Sequence, residues 1–484
     1  MKKALIKTVA LLLLTVFVFG SASVFAEERN TNTISNLIID SIVGTVSENY
    51  KFGITSEELY KNAIHEMIAE DPKLLEVALQ GIYNNLDKHS TYFNSEEFKV
   101  FIDEVNGEFC GIGVTIMEFD DGLLVTEVHK GSSAEKAGIK KGDYIISADG
   151  EDIRGLDLET ARSKIIGKIG TSINIGISRD GESMNFDMVR AVVTTVSGEY
   201  QKLDGNIGYI RLSSFDDHSP QFMEKALKDL GDTKAIVLDL RYNPGGALEA
   251  LRKIAELTLP KGAVMHLEYK DPKNNQAVMN EKGTNKFKFV VLTDSHTASA
   301  AEAFAAAVQD YGVGVTVGEQ TTGKGTMQNA TSLLTGGGYK LTVAEYLSPN
   351  KRKINNIGVI PDYEEKIKEV NYSDTYFAKP EYNGVMRQGD ESGDVLAFEQ
   401  RLNALGYAIG VPDRVFNEQT FYAVKKFQEE TGLYPYGVLD ITTQLKIMEV
   451  LHGKRISLDR PLEKAIEIAG DIDKYIKEAK RKRK

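Results

Sequence analysis

A single cysteine, Cys110, is the only thiol in 484 residues, so neither an internal disulfide framework nor a thiol cluster for zinc can be built. Long apolar runs are equally scarce, and beyond residue 26 no segment is apolar enough to span a bilayer. Basic clusters are missing apart from the KRKRK run at the extreme C-terminus. With a net charge of −12 and a pI near 5.3 the chain repels polyanions overall, which sets nucleic acid aside as a main partner. Familiar catalytic signatures are lacking too. No G-x-S-x-G pentapeptide occurs, and HEMIA at His65 has no second histidine for a zinc-protease helix. SAEK (Ser133 to Lys136) and SPNK (Ser348 to Lys351) match S-x-x-K without a KTG or SDN companion. No metal and no cofactor is therefore expected.

What is present is a soluble globular composition, 42% hydrophobic and 26% charged, at a length that suggests about three folded units. Lys2, Lys3 and Lys7 precede an apolar run from Val9 to Phe19 and the small-residue stretch Gly20 to Ala26. This reads as an export signal cleaved after Ala26. Retention as an anchor is the alternative, since residues 8–26 carry no charge and approach the length of a short span. Either way, everything after Glu27 is expected outside the cytoplasm.

Periodicity divides the remainder. Residues 27–106 read as helical, with one apolar stripe at Leu37, Ile38, Ile42 and Val43 and another at Leu59, Ala63, Ile64 and Met67. Residues 107–191 are a strand-rich module, in which runs such as GIGVTIM and LLVTEV alternate with turns. Strand and helix signals alternate over 192–364, the pattern of an α/β unit. A polar, tyrosine-rich linker is expected at 365–384, a compact helical module at 385–452 and a basic amphipathic tail at 453–484.

Two strand-to-helix turns of the α/β unit can carry chemistry. In AIVLDLRYNPGG a buried-type strand ends at Asn243, Pro244, Gly245 and Gly246 before a helix. Bare glycine backbone and a helix start suit an oxyanion, although an ordinary tight turn reads the same. In the second turn KFVVLTD leads to Thr297, Ala298 and Ser299 at the start of an alanine-rich helix. A serine there is an N-cap or a nucleophile, and capping is its commoner role. Lys324, bracketed by Gly323 and Gly325, follows, with Gln328 four residues on. A lysine can take the serine proton only when neutral, which requires bringing its pKa from about 10.4 to about 7 by roughly 4 to 5 kcal/mol of desolvation. In an extended segment Gln328 shares a side with Lys324 and can hold the amine. A solvated loop lysine is the plainer alternative, and His296 reads as a loop residue.

In this order and spacing NPGG, TASAAEAF and GKGTMQ resemble the catalytic core of the carboxyl-terminal processing proteases, a family using a serine-lysine dyad supported by glutamine. LDKHSTYF (Leu86 to Phe93) also resembles the family's N-terminal region, so the likeness spans about 53–362. It implies Ser299 as nucleophile, Lys324 as general base and Gln328 as the residue positioning the lysine. The implied oxyanion donors are the backbone N–H groups of Gly245 or Gly246 and of Ala300.

Residues 107–191 resemble a PDZ domain of the bacterial protease kind, through GIGV and GSSAEKAGIKKGDYIISADGEDI. This implies a carboxylate-binding loop at Gly111, Ile112, Gly113 and Val114, and an apolar pocket completed by Ala161 and Ile165, for protein C-terminal tails. Where relatives commonly have arginine in KIIGKIGT, this chain has Ile166. Residues 385–452 resemble a three-helix peptidoglycan-binding domain, but the family's D-G-x-F-G turn is here Asp413, Arg414, Val415, Phe416 and Asn417. The expectation is thus a multidomain α/β and β protein: N-terminal helical region, PDZ domain, α/β serine protease core and three-helix peptidoglycan-binding-like domain. Its partners would be protein tails and peptidoglycan, and relatives suggest a homodimer. A non-catalytic PDZ and wall-binding scaffold is the alternative, disfavoured by intact Ser299, Lys324 and Gln328.

Overall fold

The computed structural model describes residues 27–483 except 106–107, 120–121, 130, 157, 180, 195–196, 285 and 335. The expected signal segment 1–26 and Gly107, the expected start of the strand-rich module, lie outside the described residues. No helix among the described residues is long and apolar enough to cross a membrane.

The chain forms two compact units, 1–86 and 87–484. The first contains helices Glu27–Asn49, Ser56–Glu70 and Leu74–Tyr83. The second of these starts at a reciprocal cap in which Thr55 N–H donates to Glu58 Oε2 (2.9 Å) and Glu58 N–H to Thr55 Oγ1 (3.1 Å). The two apolar stripes are helical as expected, yet only Val43 is buried, while Leu37, Ile38, Ile42, Ile64 and Met67 stay exposed.

In the second unit, the strand-rich module is a sheet ordered Val114–Phe119, Gly122–Val128, Tyr144–Ala148, Ser172–Arg179, Glu182–Val189. Strands Glu108–Gly111 and Ala191–Thr194 pair at its base, so the chain enters and leaves side by side. Its core is aliphatic, built from residues such as Val125, Ile145, Ile173 and Ile175.

The α/β unit is a six-stranded sheet ordered Gly198–Leu203, Ile207–Leu212, Ala235–Asp239, Phe289–Thr293, Gly314–Gly318, Tyr363–Glu364, parallel from the second strand onward. Every residue of its three central strands is buried, because both faces are covered. Helices Ser219–Leu230, Leu248–Thr258 and Ala300–Tyr311 cover one face.

The other face is covered by the C-terminal tail, whose amphipathic stripe packs there while Lys480, Arg481 and Lys482 at its basic end stay exposed. Helices Arg460–Gly470 and Ile472–Lys482 bury Ala465, Ile468, Ala469, Ile472, Ile476 and Ala479 against Val237, Val290, Leu292, Val315 and Val317. Their polar side is tied down as well: Lys288 Nζ reaches Asp473 at 2.7 Å, and the Arg483 guanidinium pairs with Asp362. The expected linker is ordered too, since Lys368–Asn371 pairs antiparallel with Arg455–Leu458. The helical module is therefore an insertion on a two-stranded stem inside the protease core.

Three helices form that insertion, Gly393–Ala404, Glu418–Glu430 and Ile441–Leu451, each started by a side-chain cap from Ser392, Asn417 or Asp440. Leu402, Ala423, Val424 and Phe427 are buried as the apolar stripe predicts, and Leu405 packs against them. Glu399 is 1% exposed and accepts from Asp413 N–H and the Thr420 hydroxyl. Burial pushes its carboxyl up to about 7 from an ordinary 4.5. A raised folded-state pKa favours folding fully below the unfolded value and loses that contribution as pH rises through the folded one. The insertion is thus expected to lose up to about 3 kcal/mol between roughly pH 4.5 and 7. Thermal melts against pH should show the slope, and Glu399→Gln, whose amide the rotatable Thr420 hydroxyl can satisfy, should flatten it.

Candidate active site

Two turns at the carboxyl ends of adjacent parallel strands meet here. In the first, the buried Asp239 carboxylate accepts from Arg241 Nε (2.9 Å) and Nη2 (2.6 Å), fixing the strand end. Asn243, fully buried, donates to Leu212 O (2.8 Å) and accepts from Gly245 N–H (2.8 Å). Gly245 N–H is therefore committed inside the turn. Phe215 N–H donates to Gly245 O and Ala247 N–H to Phe215 O, the parallel-bridge pattern that turns Gly246 N–H away from Phe215. Gly245 has φ +94°, and a Cβ there would lie 2.7 Å from Ala298 O, Ala300 N and Ser299 Cβ, so only glycine lets the turns touch.

In the second turn the Asp294 carboxylate gathers N–H groups from both loops, Tyr242 at 3.1 Å and His296 at 3.0 Å, with the Thr297 hydroxyl at 3.0 Å. Ala298 N–H donates to Asn243 O (3.0 Å), a direct cross-link. Ser299 then sits at φ +55°, ψ −119°, a conformation costly for a residue with a Cβ. It caps the buried helix Ala300–Tyr311, and Ala300 N–H belongs to that helix's unpaired first turn.

One buried carboxylate joins serine and lysine. Glu302 Oε2 accepts from Ser299 N–H (2.8 Å) and Lys324 N–H (2.9 Å), while Oε1 accepts from Gly323 N–H (2.7 Å) and the Thr321 hydroxyl (2.5 Å). Burial pushes the Glu302 carboxyl above its ordinary value, and these four bonds oppose that rise. On the opposite side Tyr346, 3% exposed, shares its hydroxyl proton between Ser299 O and Lys324 O, each at 2.8 Å. Its phenol is held well above the usual range by burial and by the Glu302 charge.

Lys324 and Ser299 are both half-buried. The glycine bracket around the lysine has a backbone cause: a Cβ at Gly323 would lie 3.0 Å from Gly358 N and Ile357 N, and one at Gly325 would overlap Asn355. On strand Thr326–Ser332, which Lys324 precedes, Gln328 donates through Nε2 to Thr326 Oγ1 (2.9 Å) and Thr342 Oγ1 (3.1 Å). His296 is exposed, with Nδ1 3.6 Å from Asp294 Oδ2 and its ring stacked on Tyr242. The Asp294 carboxylate beside it holds the imidazole above its ordinary value.

Comparison with known proteins follows the same residues. The family model of peptidase family S41 matches 206–365, that of the PDZ domain 110–189 and that of a peptidoglycan binding domain 391–447. The chain is 32% identical over 474 residues to the carboxy-terminal processing protease CtpA of Bacillus subtilis (strain 168), covering 96% of each. The chain belongs to peptidase family S41, as a carboxy-terminal processing protease. It is also 32% identical over 410 residues to CtpB of the same organism, covering 82% of this chain and 84% of that one. The solved photosystem II D1 C-terminal processing protease aligns with 68% of this chain and 92% of its own, at 22% identity and a TM-score of 0.47.

In the PDZ domain of this family member, Ile112, Ala161 and Ile165 belong to the module's core, at 1%, 0% and 4% exposure, rather than lining an open pocket. Gly111 ends the base strand, Gly113 has φ +87°, and half-buried Val114 begins strand Val114–Phe119. That strand ends the sheet order, so its outer edge is unpaired among the described residues. Such an edge is where an extended peptide adds. Arg190, with Nε 2.8 Å from Ile165 O, closes the end of the helix carrying Ala161 and Ile165. In the insertion, the altered turn docks on the protease core: Gln201 Nε2 donates to Asp413 Oδ2 (2.6 Å), and Arg414 Nε lies 3.4 Å from Asp204.

Sequence reasoning missed Glu302, Tyr346, Asn243 and Asp294 as organisers of this site. Glu302 had a usable signal, because Ser299 and Glu302 stand in the S-x-x-E spacing of a capping box. Tyr346 had none, being one more apolar residue of strand Gly338–Leu347.

Proposed function

We propose that this protease is exported, takes protein C-terminal tails on its PDZ domain and cuts them with Ser299 as nucleophile and Lys324 as base. The observation that carries this reading is the Glu302 carboxylate, which holds the Ser299 and Lys324 backbones on one oxygen beside the Gly245–Gly246 turn. Ser299 Oγ attacks the scissile carbonyl carbon while its proton passes to Lys324 Nζ. The carbonyl oxygen, now negative, meets the N–H groups of Gly246 and Ala300, because Gly245 N–H is occupied by Asn243. Collapse expels the amine, which leaves with the proton from Lys324. Water then attacks the acyl-enzyme by the same route and restores the Ser299 hydroxyl. No cofactor enters these steps.

The charge and length of residues 1–26 support export and an extracytoplasmic location. The inserted three-helix module supports attachment to peptidoglycan. Apolar side chains exposed on the N-terminal helices, among them Leu37, Met67 and Ile82, suit a second copy of the chain.

Tail recognition is tested on the full-length enzyme with one protein substrate in two forms. The form ending in a free carboxylate after small apolar residues should be cut on the order of 10-fold faster than the amidated form, the size of a charge-assisted hydrogen bond. Equal rates would remove the carboxylate from the reading.

A further inference from the structure

The motif LDKHSTYF has no part in the chemistry above, yet it reaches the active site. Asp87 Oδ1 accepts from the Thr342 hydroxyl (3.0 Å) and from His89 N–H (3.0 Å), and Oδ2 accepts from the Ser90 hydroxyl (2.7 Å). Buried Ser90 Oγ in turn accepts from Thr342 N–H (3.0 Å), and strand Thr91–Phe93 pairs with Gly338–Leu347 at Lys340. Thr342 is the same residue whose Oγ1 accepts from Gln328 Nε2 at 3.1 Å.

We propose that Asp87 is a positioning residue of the active site, fixing through Thr342 which way the Gln328 amide faces Lys324. A carboxylate can only accept hydrogen bonds, and a threonine hydroxyl has one proton to give. The Thr342 proton is given to Asp87, so toward Gln328 its oxygen can only accept. Thr326 Oγ1 takes the other amide donation at 2.9 Å. Both Gln328 N–H groups are thereby spent on threonines, and Oε1 is left as an acceptor. An acceptor beside a neutral lysine takes one of its N–H groups and leaves the nitrogen lone pair for the serine proton. A flipped amide would instead donate to that lone pair and disable the base.

Although Asp87 lies at the surface, its carboxyl is ionised more readily than usual. Burial, which would raise it, is outweighed by the bonds from Ser90, His89 N–H and Thr342. The neighbouring His89 is held below its ordinary value by burial and by the Lys324 charge, which brings the same turn within the field of the base.

The inference rests on the reading of Lys324 as base and Gln328 as its support, and a mutant cycle separates the two. Asp87→Ala and Thr342→Val in the full chain should each lower kcat on the order of 10-fold with KM unchanged, while Thr342→Ser keeps most of the rate. In a Gln328→Ala background Asp87→Ala should cost nothing more, because both act through one amide. If Gln328→Ala is slow and Asp87→Ala lowers kcat by the same factor in both backgrounds, or not at all, Asp87 has no such role and the dyad reading stands. If Gln328→Ala alone keeps wild-type kcat, the support role of Gln328 fails and the Asp87 proposal falls with it. Should Asp87→Ala not fold, the contrast between Thr342→Val and Thr342→Ser decides, and equal rates in those two would overturn the proposal.

Discussion

Ser299→Ala and Lys324→Ala should each lower kcat/KM for peptide cleavage on the order of 10⁴-fold or more, with melting temperature nearly unchanged. Alanine keeps the Cβ that Ser299 already holds at positive φ, and Glu302 and Tyr346 grip residues 299 and 324 by backbone atoms only. The fold therefore has little reason to notice either change. Nucleophile and base act in one proton transfer, so the double variant should be no slower than either single one. Lys324→Arg should not rescue activity, because a guanidinium stays protonated near neutral pH and cannot accept the serine proton. A folded Lys324→Ala enzyme turning over at near-wild-type rate would make His296 the next base to test.

The second large effect belongs to Glu302. Each of its oxygens accepts two donors, so the isosteric Glu302→Gln must place an NH2 group against two of them. On the Oε1 side the Thr321 hydroxyl can rotate to accept, but Gly323 N–H is left facing a donor at a cost of about 1–3 kcal/mol, and the clamp shared by the turns carrying Ser299 and Lys324 is weakened. A misplacement near 1 Å is enough for about a 100-fold loss of kcat. The pH dependence has a defined sign. The Glu302 carboxyl is raised by burial, so its contribution to stability is greatest below the ordinary value of 4.5 and is lost as pH rises through the folded value. Wild-type melting temperature should fall through that window and Glu302→Gln should flatten the fall. A Glu302→Gln enzyme with wild-type kcat would mean that the clamp does not position the dyad.

Much of this site is legible in the sequence, for local reasons. Ser299, Lys324 and Gln328 lie in short strings whose glycines and alanines are forced by close backbone contact, as at Gly245 and Gly325. Glu302 and Tyr346 act on two loops at once, and their partnership exists only after the strands are paired. The tail shows a different limit. Its amphipathic stripe is plain, but a solvated helix with a basic end satisfies the same pattern. The clue lay elsewhere, in the near-continuous apolar runs AIVLD, FVVLT and GVTVG, which require cover on both faces. The helices between the strands supply one cover, so a second had to come from beyond the α/β unit. The PDZ module shows a related limit: Ile112, Ala161 and Ile165 are apolar and adjacent, which describes a core as well as a groove.

The dyad is tested most directly by acylation of the serine itself. The full-length enzyme and its Lys324→Ala variant are incubated with a serine-reactive acylating peptide, and the modified residue is mapped by mass spectrometry. A Ser299–Lys324 dyad predicts one adduct on Ser299 in the wild type, formed at least about 100-fold more slowly in the folded Lys324→Ala variant. An adduct on any other residue, or labelling of Ser299 at the same rate without the lysine, would contradict it.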